Sequence, residues 1–346
     1  DGVNTGRALV VLTVPTGIGT SSVPVRRLRT TPSLGLRKMK ELGHVPKKRK
    51  RQAPKGDRPR QTATAIVTGD PLADLPLGTE INTRSEQFRS LDATDVSQGV
   101  KDWDSFKGAL LALGLTGKDH TRIVGTAVCI APGLAVTASH VLRESINELL
   151  AGEVAPMCMG PRNGELDLWK VTQFVHAESD DITYLSLQLQ SAITPSWHMT
   201  SFKIRTRPPQ VGEYLSIVGF RFPKKVLRTS SGGNAGDFVG KLLASRGPVE
   251  DFFPISRDPS LMNYPCIQIG CGSPGGVSGG AVLDDEGSLV GILSRSYETA
   301  EGSGPSMASW LIPTLGREIR PDWPPGLYFE KQRVIDIRRD LLNLVE

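Results

Sequence analysis

From Thr121 onward the apolar positions fall into short runs broken by Gly, Pro, Asn and Asp. Ile123 to Ile130, Leu134 to Thr137, Leu168 to Val175 and Ile182 to Leu187 are four such runs. Tyr214 to Phe220, Cys266 to Ile269, Gly280 to Leu283 and Ser288 to Leu293 are four more. Runs of four to eight apolar residues between turn signals predict strands. Many short strands with regular turns predict an all-β sandwich or barrel.

Three segments have helical spacing instead. In Asp102 to Gly114, Trp103, Phe106, Leu110, Leu111 and Leu113 fall on one face, predicting a short amphipathic helix that ends near Gly114. Leu142 to Leu150, with Gly152 beyond it, predicts a second. Glu330 to Val345 carries Val334, Ile335, Ile337, Leu341, Leu342 and Leu344, predicting a terminal helix docked on the preceding β domain. No apolar run approaches the 18 or so residues of a membrane span. Ala8 to Val14 is short, follows a single basic residue (Arg7) and precedes Pro15, a poor match to a signal peptide. The chain begins with Asp1 rather than Met, which leaves an upstream segment open.

Of 346 residues, 38% are hydrophobic and 22% charged, which excludes a membrane protein and a wholly disordered one. The charge is uneven. Residues 1–60 hold 15 Lys and Arg against 3 Asp and Glu, a net of +12; the remainder holds 26 against 33, a net of −7. The positive balance thus belongs to the tail, densest at Lys47-Lys48-Arg49-Lys50-Arg51, where little apolar periodicity predicts disorder. Such a tail suits binding to nucleic acid or an anionic surface, a localisation signal, or a leader removed at the basic run; it equally suits a merely solvated tail. No nucleic-acid fold motif accompanies it.

Cys129, Cys158, Cys266 and Cys271 read as four buried thiols, with a Cys266–Cys271 bridge as the alternative. No pair has CxxC spacing and no histidine is near in sequence, so neither a zinc site nor another cofactor is expected. The absence of a paired-cysteine framework favours a reducing, cytoplasmic compartment, with secretion left open.

Three segments carry candidate chemistry. In Ser273-Pro274-Gly275-Gly276-Val277-Ser278-Gly279-Gly280 the glycines permit a tight turn that exposes the Ser278 hydroxyl. The N–H groups of Gly276 and Ser278 are then placed to form an oxyanion hole, where one donor is typically worth roughly 3–4 kcal/mol. By itself the segment is also an ordinary glycine-rich turn. In Val136-Thr137-Ala138-Ser139-His140-Val141, His140 ends an apolar strand, where an imidazole can accept and return the serine proton. The other histidines (His44, His120, His176, His198) lack such a setting and read as structural. In Ser179-Asp180-Asp181-Ile182, an acid leading into an apolar strand is suited to fix the imidazole tautomer. Asp181 directly precedes the strand and is preferred; Asp180 is its competitor.

With these three motifs the chain resembles the trypsin-like, chymotrypsin-fold serine proteases. VTASH-V is similar to that family's histidine motif, DDITYLSL to its aspartate motif and GVSGG to its serine motif. The order His140, Asp181, Ser278 and the separations of 41 and 97 residues are also similar. The resemblance covers about Thr121 to Pro313. It implies two packed antiparallel β-barrels, with His140 and Asp181 from the first, Ser278 from the second, and the site between them. It implies a serine endopeptidase acting on protein or peptide substrates through an acyl-enzyme. The alternative is a catalytically silent protein-binding module on the same fold.

Ser294, in Val290-Gly291-Ile292-Leu293-Ser294-Arg295-Ser296, matches the family's substrate-binding strand, and the resemblance gives it a supporting role behind Asp181. Val277 stands where activated digestive members carry an aspartate, and Val141 where secreted members carry a cysteine; both departures point toward bacterial or intracellular members. Gly272 stands where trypsin has its acidic specificity residue, so a preference for Arg or Lys is not expected. Ser273 and Leu293 imply a small or medium uncharged residue at the cut site, with Arg295 and Ser296 beside it. The expected organisation is a disordered basic tail over 1–63, a leading segment over 64–120, a protease domain over 121–315 (barrels about 121–192 and 200–313), and a helical extension over 316–346.

Overall fold

The computed structural model of the chain describes residues 9–13, 61–88, 93–94, 98–100, 102–118, 121–177, 179–221, 235–297, 304–337 and 339–346. Most of the basic tail, Lys47 to Arg51 included, lies outside the described residues, as do His44 and His120. The backbone of Leu9–Thr13 pairs antiparallel with residues 173–177. No helix among the described residues is long and apolar enough to cross a membrane.

Six strands close the first barrel: β1 (Leu110–Thr116), β2 (Thr121–Ala131), β3 (Leu134–Ala138), β4 (Ala155–Arg162), β5 (Glu165–Ala177) and β6 (Ile182–Leu189). All neighbours are antiparallel, in the cyclic order β1-β2-β3-β6-β5-β4. Six more close the second: β7 (Tyr214–Arg221), β8 (Ala235–Phe253), β9 (Cys266–Ile269), β10 (Ala281–Leu283), β11 (Leu289–Ser296) and β12 (Ser306–Trp310). Their cyclic order is β7-β8-β9-β12-β11-β10. The two barrels repeat one topology, and closure leaves neither with a free sheet edge. Each fills its interior with aliphatic side chains, Leu111, Leu113 and Leu185 among those of the first and Ile217, Ile269 and Val282 among those of the second.

Two predicted helices are absent. Residues 103–106 form only a 3₁₀ turn, capped by the Asp102 carboxylate, which accepts from the Asp104 N–H at 2.9 Å. Lys107 and Gly108 then adopt positive φ (46° and 78°), and β1 begins two residues later. From Ala109 to Leu115 the apolar side chains are all buried. A run apolar on every face, rather than on one stripe, suits a strand covered on both sides. The segment expected to lead into the β domain is therefore a wall of its first barrel.

The C-terminal helix is absent for a related reason. Val334, Ile337, Leu341 and Leu342 are buried, but Val334–Asp336 is only a 3₁₀ turn, Leu341 and Leu342 lie in a turn, and Ile335 is exposed. Gln332–Arg333 pairs with Glu318–Ile319, and Leu344–Val345 runs parallel to Ile204–Arg205. The N–H groups of Ile204 and Thr206 donate to the carbonyls of Asn343 (2.8 Å) and Val345 (2.7 Å). A helix would withdraw both acceptors, and buried backbone donors need partners. The predicted helix at 142–150 is realised as two short ones, α1 (Ser139–Arg143) and α2 (Ile146–Leu150). All four cysteines are free and buried, so the Cys266–Cys271 bridge is not formed.

Residues 311–328 leave the second barrel and run across the first as a belt, reaching the Pro132 carbonyl through the Tyr328 hydroxyl at 2.7 Å. Trp323 is fully buried, edge-on to Trp169 and Trp197. Thr314 Oγ1 and Tyr184 Oη share a hydrogen bond of 2.7 Å, and Arg317 donates to the Ile182 carbonyl at 2.7 Å while pairing with Asp180. The turn that carries Asp181 is thereby held from behind.

Candidate active site

Strand pairing brings His140 to Asp181. The β3–β6 ladder runs to Ala138 opposite Ile182, and one step further the Ser139 N–H donates to the Asp181 carbonyl at 3.1 Å. The chain then turns into α1, whose second residue is His140. The His140 backbone N–H donates to Asp181 Oδ1 at 2.9 Å, and its ring Nδ1 lies 2.7 Å from Oδ2. Asp181 is buried, while the imidazole keeps an exposed edge. Asp180, one residue earlier, is taken by Arg317 and caps its own turn by accepting from the Ile182 N–H at 3.1 Å.

Ser278 sits on a tight turn between the barrels. The Val277 N–H donates to the Pro274 carbonyl, and Gly276, third residue of that turn, has φ of 95°. Positive φ at this place marks a type II turn, which flips the central peptide relative to type I and fixes where the Gly276 N–H points. A Cβ on Gly276 would meet only Arg221 Cγ at 3.9 Å, so glycine is required there for its backbone, not for room. At Gly279 both matter: φ is 81°, and a Cβ would run into the Thr126 carbonyl and Thr137 Oγ1. Val277 fills the core of the second barrel. Among the described residues, no protein acceptor takes the N–H of Gly276 or of Ser278.

Thr126, on β2, docks this turn onto the first barrel. Its N–H donates to the Ser278 carbonyl at 2.9 Å, and its own carbonyl accepts from Thr137 Oγ1 at 2.6 Å. Its hydroxyl oxygen accepts from the Phe220 N–H of β7 at 2.9 Å. Gly125 leaves the gap beside it: a Cβ there would lie 2.8 Å from both the Ser278 carbonyl oxygen and Val141 Cγ1. Ser278 and the residue after His140 are thus neighbours across one glycine.

Burial alone would raise the Asp181 carboxyl's affinity for a proton. Hydrogen bonds from His140, the imidazole's charge when present, and Ser294 more than offset it and hold the group below the ordinary carboxylate range. Ser294 Oγ donates to Oδ2 at 2.6 Å, so Oδ2 serves both Ser294 and His140. The β11–β12 register shifts between Leu293 and Arg295, a bulge that re-aims the intervening Ser294. Arg295 is exposed. Ser273 and Ser296 come together, the Ser273 N–H donating to Ser296 Oγ at 3.1 Å, and Gly272 is half-buried beside them.

Several partners went unnoticed in the sequence. Ser306 Oγ joins Ser273 Oγ at 3.1 Å and donates to the Cys271 carbonyl at 2.7 Å. Tyr264 Oη lies 2.7 Å from Ser294 Oγ. Thr137 alone carried a signal, standing three residues before His140 in the histidine motif. His176 is structural in its contacts: its Nδ1 is 2.7 Å from Ser139 Oγ. Among the described residues, no group of three or more acids, cysteines or histidines is placed to hold a metal.

Two closed antiparallel barrels of one topology, with an acid–imidazole pair on one and a glycine-rich serine turn on the other, define the chymotrypsin-like fold. Residues 125–292 match the trypsin-like peptidase domain, a family of protease hydrolases. Among solved structures the chain is similar to Deg5 (15% identity, 62% of this chain and 88% of that one, TM-score 0.41). It is likewise similar to the HtrA-type protease AlgW with decapeptide (17%, 64% and 72%, 0.40). A third likeness is to the MamO protease domain from Magnetospirillum magneticum (14%, 60% and 93%, 0.38). A comparison with curated proteins finds no match.

Proposed function

We propose that the chain is a serine endopeptidase with Ser278 as nucleophile, His140 as general base and Asp181 as the acid that orients it. The observation that carries this reading is the His140–Asp181 pair at 2.7 Å, with the Ser278 carbonyl docked by the Thr126 N–H of the same barrel and separated from Val141, the residue after His140, by one glycine. Asp181 on Nδ1 places the exchangeable lone pair on Nε2, the nitrogen that can take a hydroxyl proton. Ser278 Oγ attacks the substrate carbonyl as His140 removes its proton. The N–H groups of Gly276 and Ser278, uncommitted among the described residues, receive the charge that develops on the carbonyl oxygen. His140 returns the proton to the leaving amine, and water, activated by the same imidazole, releases the acyl group from Ser278. The substrates are proteins or peptides. The Ser273–Ser296–Ser306 hydroxyls favour a small or medium uncharged side chain at the cut site. The four reduced, buried thiols support a reducing compartment.

Labelling of the full chain with a fluorophosphonate probe, wild type beside Ser278→Ala, tests the reading. Label mapped to Ser278 and lost in the variant is expected. A folded wild type that binds peptides but takes no label would favour the silent binding module instead.

A further inference from the structure

The acid–base pair continues inward. Behind Asp181 stands Ser294, and behind Ser294 stands Tyr264, at the end of the loop between β8 and β9. The successive distances are 2.7 Å from Tyr264 Oη to Ser294 Oγ, 2.6 Å from there to Asp181 Oδ2, and 2.7 Å on to His140 Nδ1. All three residues behind the imidazole are buried.

The direction of this chain follows from its donors. An ionised carboxylate only accepts, so the single hydroxyl proton of Ser294 is committed to Oδ2. Ser294 Oγ can then only accept from Tyr264, whose hydroxyl must be the donor. Burial pushes that phenol up to about 12, so it keeps its proton throughout the working range. A hydroxyl that accepts one hydrogen bond becomes a stronger donor in the next. Because Ser294 and His140 share Oδ2, whatever strengthens the Ser294 bond weakens the hold of that oxygen on the imidazole.

Resting on the catalytic reading above, we infer that Tyr264 is a positioning residue of the active site, setting through Ser294 how strongly Asp181 holds His140. Its ring is fixed for this by packing with Met262, Cys266 and Met307, a small cluster separate from the barrel interiors. The phenol does not reach the reacting atoms; it acts through two intervening groups.

The test is a double-mutant cycle on the full chain with Tyr264→Phe, Ser294→Ala and the pair. Tyr264→Phe keeps the ring, and a thermal melt confirms the fold. One hydrogen bond of ordinary net worth corresponds to about three- to tenfold in rate. Tyr264→Phe, which leaves Oδ2 the stronger acceptor for the imidazole and so makes Nε2 the stronger base, should therefore speed Ser278 labelling and peptide turnover by about that factor, in kcat rather than KM, and have no further effect once Ser294 is alanine. Equal effects in both backgrounds, or a rate within twofold of wild type, would overturn the inference.

A second readout does not depend on turnover: the proton NMR signal of the His140 Nδ1–H should move downfield in Tyr264→Phe, as Oδ2 becomes a stronger acceptor for it. An unmoved signal also overturns the inference. A wild type that takes no label sinks the serine-hydrolase reading alone, and the NMR signal then decides the role of Tyr264.

Discussion

His140 and Asp181 are joined twice, backbone N–H to Oδ1 at 2.9 Å and ring Nδ1 to Oδ2 at 2.7 Å. The first bond fixes where the carboxylate sits relative to the chain, and the second fixes how the ring is turned. Asp181→Asn separates these roles. The amide oxygen can still accept from the backbone N–H, but its NH₂ then faces Nδ1 and forces that nitrogen to accept. The proton moves to Nε2, where it blocks the serine. Turnover is expected to fall about 10⁴-fold with KM little changed, as read from peptide hydrolysis with the melting curve as control.

The same pair makes stability depend on pH in a stated direction. The Asp181 carboxyl is held below its ordinary value, chiefly because the His140 and Ser294 bonds outweigh the cost of burial. A group whose folded value is depressed stabilises the fold fully above its unfolded value, about 3.9 for aspartate. That contribution is lost as pH falls toward the lower folded value. Urea unfolding of wild type and Asp181→Asn should therefore show a gap that narrows as pH falls below about 4. A gap that widens below about pH 4 would contradict the direction of the shift.

How much of this could be read beforehand depended on the range of each interaction. The strands at 123–130, 134–137, 182–187 and 266–269 were legible because each is a short apolar run closed by turn residues. β12 was not, since Ser306–Trp310 has no apolar run, and β8 was not, since Ala235–Phe253 mixes charges with apolar residues over 19 positions. Periodicity misled at Leu110 to Leu113, where the buried residues belong to a strand paired on both sides, and at Val334 to Leu344, where a 3₁₀ turn and a further turn bury Val334, Ile337, Leu341 and Leu342 but leave Ile335 exposed, and only the end pairs with Ile204–Arg205. His140, Asp181 and Ser278 stood out because each lies in a local motif. Tyr264 and Ser306 lie in none; their contacts with Ser294 and Ser273 arise only when β9, β11 and β12 pair.

Gly276 separates backbone geometry from space. Its φ of 95° is one that side chains rarely adopt, yet a Cβ would find open room, with Arg221 Cγ 3.9 Å away. Gly276→Ala should therefore fold, at a cost of about 1 kcal/mol. The strain is relieved by turning the Gly275–Gly276 peptide, which swings its N–H away from the substrate carbonyl. Losing one such donor lowers kcat about 10²- to 10³-fold. Peptide hydrolysis should show that loss in kcat with KM near wild type; an unchanged kcat would remove this N–H from the oxyanion site.

Thr126 is the hinge pin between barrels. It gives its N–H to the Ser278 carbonyl, takes the Thr137 hydroxyl on its own carbonyl, and takes the Phe220 N–H on Oγ1. Thr126→Val preserves the shape and both backbone bonds but deletes the acceptor for the Phe220 N–H, which is buried. A buried donor deprived of its acceptor costs about 1–3 kcal/mol. Thr137→Val removes the hydroxyl donor to the Thr126 carbonyl, and an under-satisfied buried carbonyl is tolerated more readily than an orphaned N–H, so it should cost less. Urea midpoints are expected to fall in the order wild type, Thr137→Val, Thr126→Val with the slope unchanged, since neither variant alters the surface exposed on unfolding. Because the Ser278 carbonyl bond survives in both, labelling rates corrected for folded fraction should drop less in either than in Asp181→Asn. A Thr126→Val protein as stable as wild type would show that the bond to Phe220 contributes nothing to joining the barrels.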